Sequence, residues 1–333
     1  MAVESSSAQR VLLFSGISAL VMVATGLITP LAGPSHVDYG RAFAGLSPDR
    51  EILFYARTPR VLLSLIAGGG LAVAGVLFQA LLRDALATPY TLGVSSGASL
   101  GAVTAICLGW RNVGPFPATW ASAFAGSMMV LVAVLAIASE RRRMSSFTLL
   151  LSGITVNSIC MAAIMFLQYL STFGQSFAIV RWLMGGIEAV DYATIGWLTI
   201  VVAPVVAWLF WKSRDWNLLA VGEDWAAARG VPASRLIFTG YLAGSFLTGS
   251  ITALTGPIGF VGLIVPHALR LRLGADHRLL IPCSFFFGGA FLAICDTLSR
   301  TVLAPIEIPV GVTTAMLGGP VFIYLLRGRS RAV

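Results

Sequence analysis

GPIGFVGLIVPHALRLRLGADHRLLIP, residues 256 to 282, decides how the rest of the chain is read. Its apolar run from Ile258 to Val265 is too short to cross a bilayer, which takes about 20 apolar residues in a helix. Glycines and a proline at Gly256, Pro257, Gly259 and Gly262 open the stretch, Pro266-His267 interrupts it, and Arg270, Arg272, Asp276, His277 and Arg278 end it. Irregular backbone at membrane depth survives only where it is buried in protein or lines a cavity. The stretch therefore predicts a short element held among membrane helices, with Pro266 ending a half-helix.

Around it the chain is built for lipid. Of its 333 residues 57% are hydrophobic and 11% charged, and the mean hydropathy is +0.87, far above that of a soluble domain. Apolar runs cover 11–29, 61–82, 92–110, 118–139, 147–170, 193–211, 236–255, 279–299 and 308–326. With the short element at 258–269 they predict an all-α polytopic membrane protein of about ten crossings. The first run lacks an A-x-A cleavage site and reads as a span rather than a signal peptide. Cys107, Cys160, Cys283 and Cys295 lie inside apolar runs without CxxC spacing and read as small core residues.

Placing the N-terminus inside puts about 15 basic residues on the cytoplasmic side and about 7 outside, the expected positive-inside bias. The outer set is Arg41, Arg50, Arg57, Arg60, Arg111, Arg181 and Arg300. Both termini are then cytoplasmic: a tail over 1–10, a single transmembrane domain over 11–327 and a tail over 328–333. The formal charge of +8 is thus topological, and no nucleic-acid partner is implied. An odd number of crossings at the short element would turn Arg327, Arg329 and Arg331 outward, against the bias.

Function classes narrow quickly. The chain has no GxxxxGK[ST] nucleotide loop and no HExxH or comparable catalytic cluster, so no catalytic or metal residue is assigned. Asp296 and Glu307 are the only carboxylates near membrane depth, which disfavours an ion-coupled secondary transporter. A recurrent pattern, an arginine leading a glycine-rich span at Arg60 (GGGLAVAG) and Arg235 (GYLAGSFLTG), fits either small-residue helix packing or a duplicated half. Between spans lies KSRDWNLLAVGEDWAAARGVPASR, Lys212 to Arg235, polar with apolar residues at helical intervals. Glu223-Asp224 suit a first helical turn, and Gly230 and Pro232 suit its end. Such an amphipathic helix docks into a partner's groove or lies on the membrane surface.

Several long motifs in order resemble the permease subunits of type II ABC importers for iron-siderophore, haem and cobalamin, the FecCD-like family. They are RTPR (Arg57–Arg60), GGGLAVAGVLFQALLRDALATPYTLGVSSGASLGA (Gly68–Ala102), RWLMGG (Arg181–Gly186), AVGEDWAAARGV (Ala220–Val231), GFVGLIVPHALR (Gly259–Arg270), GADHRLLIP (Gly274–Pro282) and EIPVGVTTAMLGGPVFIYLL (Glu307–Leu326). The resemblance implies a homodimer in a bacterial inner membrane, with two cytoplasmic ABC ATPase subunits that use ATP and Mg and an extracytoplasmic substrate-binding protein. The chain itself would bind no cofactor and catalyse nothing. It also implies that Val221, Gly222, Glu223, Ala226, Ala227, Arg229 and Gly230 couple to the ATPase. Arg57, Arg60 and Arg300 would dock acidic residues of the binding protein, or else anchor at headgroups or pair locally, Arg300 with Asp296 at i, i+4. A cytoplasmic gate falls on Asp84, Leu86, Ser145 and Ser146, although relatives usually read Asn-Pro-Leu where this chain has Asp84-Ala85-Leu86. The two serines could equally cap the following helix. An iron-siderophore complex is the expected cargo, and nothing in the pathway motifs separates it from haem or cobalamin.

Overall fold

The computed structural model describes residues 2–114, 116–139 and 145–329, so the Arg141–Arg143 run and Arg331 lie outside the described residues. In lipid every backbone polar group must be met within the protein, and the apolar runs accordingly wind into helices. The first is α1 (Ala2–Ile28). An outer segment follows with α2 (Tyr39–Phe43), whose N-cap Asp38 accepts from the Arg41 amide, and the single turn α3 (Asp49–Glu51). The chain then winds as a π-helix over Ile52–Arg57 into α4 (Thr58–Leu82). The wider winding immediately precedes Pro59, which has no amide hydrogen to give the preceding turn.

Next come α5 (Val94–Cys107), a hairpin of β1 (Asn112–Val113) and β2 (Phe116–Pro117), α6 (Ala118–Ser139) and α7 (Ser146–Leu170). They are followed by α8 (Phe173–Leu183), α9 (Tyr192–Trp211), α10 (Ser213–Val221) and α11 (Glu223–Ala228). The chain closes with α12 (Ala233–Thr255), α13 (Val261–Leu273), α14 (His277–Thr301) and α15 (Val310–Arg329). Among the described residues, 7 helices are long and apolar enough to cross a membrane, and α5 and Val310–Tyr324 are shorter apolar helices. With α13 they account for the expected crossings one for one. The sequence reading missed α8, whose 11 residues fall below any spanning length and are started by a capping box between Thr172 and Gln175.

One helix organises the rest. Along the span that includes α4, 89% of the most apolar window is buried, against 33% for α6 and 22% for α9. Its glycines explain this. A Cβ on Gly75 would sit 1.8 Å from the Gly262 carbonyl of α13, and one on Gly68 would sit 2.3 Å from the Gly288 carbonyl of α14. Only small residues allow backbones to approach so closely, so the GGGLAVAG pattern is a packing surface.

The opening stretch departs from its expectation in one respect. Pro266 does not end a half-helix: α13 begins after Phe260, which is left-handed at φ 68, and runs through Pro266 to Leu273. A helical proline leaves the carbonyl four residues earlier without a donor, here that of Gly262. Gln79, buried within α4, donates to this oxygen at 3.3 Å. A polar side chain in an apolar helix thus meets the backbone group that the proline releases. Gln79→Leu is expected to cost about 1–3 kcal/mol, the penalty of one unmet buried carbonyl, read as a lowered unfolding midpoint in detergent.

Candidate functional site

The 212–235 segment, expected on the cytoplasmic side, forms two helices at one end of the bundle rather than the single one expected. The break falls at Gly222, between α10 and α11. Helix α10 buries Trp216 and Leu219, and the Trp216 indole Nε1 donates to the Leu209 carbonyl at 3.1 Å. Beside them Asn217 clasps the turn before α14: its Nδ2 donates to Asp276 at 2.8 Å, and its Oδ1 accepts from the His277 amide at 2.8 Å. Arg278 closes the clasp on Asp276 at 2.9 Å. His277 is therefore a buried joint of this clasp, while His267 packs edge-on against Phe322.

Helix α11 buries Ala226 and leaves Val221, Trp225, Ala227, Arg229 and Gly230 exposed around it. The Arg229 guanidinium lies 4.9 Å from the Trp225 ring centre, a cation–π contact that stiffens this outward face. Gly230, at φ 81, makes the left-handed turn that ends the segment.

Glu223 points the other way. Its Oε1 accepts from the Ser146 hydroxyl at 3.0 Å, the Ser146 amide at 3.3 Å and the Arg83 guanidinium at 3.2 Å. Ser145 is the N-cap of α7, accepting from the Thr148 amide at 3.2 Å, so the capping alternative describes it. Ser146 is buried, and the single proton of its hydroxyl is shared between Glu223 Oε1 and the Leu81 carbonyl, both within hydrogen-bond distance. Asp84 accepts from the Leu86 amide at 2.9 Å. An asparagine carbonyl would make the same turn, so the departure from Asn keeps the backbone and adds a charge. Leu86 stands exposed.

At the other end of α4 and α14, expected to face outward, the three arginines hold local partners. Arg57 is 4% exposed and donates to the carbonyls of Pro30 and Ser35, pinning the loop after α1. Arg300, 2% exposed, meets Asp296 at 3.1 Å. Both therefore hold the local partners that were the alternative to docking, and a bond to an incoming protein would compete with these buried ones. Arg60 bridges Asp296 at 3.0 Å and Glu307 at 2.9 Å. Asp296 is fully buried and neutralised by two arginines, an arrangement that joins α4 to α14. Arg60 and Glu307 also line an outer cavity of about 370 Å³ that includes Trp120, Arg181, Trp182 and Glu188.

Over residues 19–328 the sequence matches the FecCD transport family. The vitamin B12 import system permease protein BtuC of Escherichia coli O139:H28 is 38% identical over 311 residues, covering 93% of each chain. An ABC transporter permease protein of Methanocaldococcus jannaschii is 38% identical over 285 residues, covering 83% of this chain and 81% of that one. A solved structure described as an inward-facing conformation of a metal-chelate type ABC transporter superposes with a TM-score of 0.83 at 28% identity, covering 94% of this chain and 98% of that one. The chain belongs to the FecCD transport family and is a permease of a type II ABC importer.

The clasp at Asp276 has a pH signature. Burial pushes its carboxyl up, but the hydrogen bonds from Arg278 and Asn217 outweigh burial and hold it below the usual carboxylate range. A depressed folded value means that its stabilisation is complete above the ordinary carboxylate pKa of about 4 and is lost as pH falls through the folded value. Amide protection over residues 274–278, taken relative to the intrinsic exchange rate at each pH, is expected to stay high at neutral pH and to fall only below about pH 4. Asp276→Asn should remove that acid dependence.

Proposed function

We propose that this chain is the transmembrane subunit through which an ATP-driven importer passes a metal chelate from an extracytoplasmic binding protein to the cytoplasm. It works as a homodimer in the inner membrane, with both termini and the 212–235 segment facing two ATPase subunits. The observation that carries the reading is the polarity of that segment. Its outward face, Val221, Trp225 and Arg229, is free to enter a partner's groove, while its inward face is bonded to α4, α7 and the turn before α14. Hydrolysis of ATP with Mg belongs to the partner, and nucleotide acts by stabilising one arrangement of the gates over the other.

Leu86 is the gate residue left free to close the pathway, with Asp84 and Ser145 shaping the loops that carry it and its counterpart. Of Arg57, Arg60 and Arg300, Arg60 is the one that lines the cavity, and it is the group through which a carboxylate of the binding protein would be recognised. The cargo is an iron-siderophore complex. Cobalamin is the second reading, favoured by the vitamin B12 import permeases that are 37% and 38% identical to this chain.

The test is ATP hydrolysis by the complex reconstituted in vesicles, with binding proteins loaded with a ferric siderophore, haem or cyanocobalamin. A stimulation of several-fold by the ferric siderophore alone is the expected result. Stimulation by cyanocobalamin alone would assign the second reading, and uptake that persists without the ATPase would restore an ion-coupled transporter.

A further inference from the structure

Resting on that reading, the geometry points to Glu223 as the positioning residue that carries movement of the cytoplasmic helix pair to both gate loops at once. An acidic residue at the start of a helix ordinarily serves its own helix's amides. Glu223, first residue of α11, instead spends one oxygen on two other elements: the Ser146 hydroxyl and amide at 3.0 and 3.3 Å, and Arg83 at 3.2 Å.

These partners sit at mechanically informative places. Ser146 is the first residue of α7, and its amide is among the donors that a helix start leaves without an internal acceptor. Ser145 satisfies the Thr148 amide from within, and Glu223 satisfies the Ser146 amide from across the fold. Arg83 is the residue after α4 and is left-handed at φ 52, a conformation unusual for a residue with a side chain. Its guanidinium bond to Glu223 fixes where the chain turns toward Asp84 and Leu86. The Ser146 hydroxyl, whose single proton lies between the Leu81 carbonyl and Glu223, brings the start of α7 against the last turn of α4, while the Ser146 amide gives Glu223 a bond of its own. Glu223 therefore closes a three-way junction among α4, α7 and α11, and the loops carrying the gate residues both leave from it. With Glu223 in place, a displacement of α11 moves the two loops together; without it, α11 can move while the gates stay.

Coupling, rather than activity, is what a variant should change. In vesicles holding the complete complex and a loaded binding protein, ATP hydrolysis and uptake of whichever cargo stimulates the wild type are measured together. In Glu223→Ala uptake per ATP hydrolysed is expected to fall about tenfold or more, the scale of a typical coupling between sites. Glu223→Gln, which keeps an acceptor for Ser146 but loses its charge for Arg83, should fall less, and Arg83→Ala should resemble it. An unchanged ratio in Glu223→Ala, or hydrolysis and uptake falling in parallel, would overturn the inference. Should Glu223→Ala fail to assemble, an unchanged ratio in both Glu223→Gln and Arg83→Ala would overturn it instead. A wild type with no cargo-stimulated hydrolysis would overturn the functional reading itself, which the same vesicles report separately.

Discussion

The contact between α4 and α13 is the constraint from which the architecture follows. An element of 13 helical residues cannot cross a bilayer unaided, and a proline within it leaves a carbonyl unmet. Both problems are solved by the same neighbour. Gly75 lets the two backbones touch beside Gly262, and Gln79, one turn further along α4, donates to the Gly262 oxygen. Because α4 must serve as this partner, it is buried on nearly all sides, and the other helices arrange themselves around it.

The same helix links the two ends of the molecule. At its outer end Arg60 joins Asp296 and Glu307; at its inner end Leu81 and Arg83 join Ser146 and Glu223. A rigid element with specific bonds at both termini is a means by which events on one face of a membrane can reach the other without large internal rearrangement. The Asn217 clasp adds a second attachment of the cytoplasmic helix pair, this one to the turn between α13 and α14. The 212–235 helix pair is thus held at two places, at Arg83 and Ser146 through Glu223 and at Asp276 and His277 through Asn217.

Much of this was legible in the sequence. The spans showed themselves through length and hydropathy, and the positions of Glu223 and Ser146 came from motif resemblance. What stayed hidden depended on pairing between distant residues. Nothing in RTPR or DTLSR reveals that Arg57 turns inward to the Pro30 and Ser35 carbonyls, or that Arg60 and Arg300 share Asp296. Gln79 drew no notice because a single polar residue in an apolar run gains meaning only once Gly262 lies opposite. Helix α8 was missed because an 11-residue amphipathic segment carries no spanning signal, and Pro266 misled because a proline's effect depends on whether a neighbour meets the freed carbonyl.

On the proposed function, the 212–235 helix pair and the loop after α4 that carries Leu86 move as one body. Spin labels at Val221 and Leu86, both exposed, measure it directly by pulsed dipolar spectroscopy in the assembled complex, within a protomer and between the two Leu86 positions of the dimer. The account predicts that ATP binding changes the Leu86–Leu86 distance while the Val221–Leu86 distance within a protomer keeps its value. A Val221–Leu86 distance that shifts with nucleotide while Leu86–Leu86 stays fixed would contradict it.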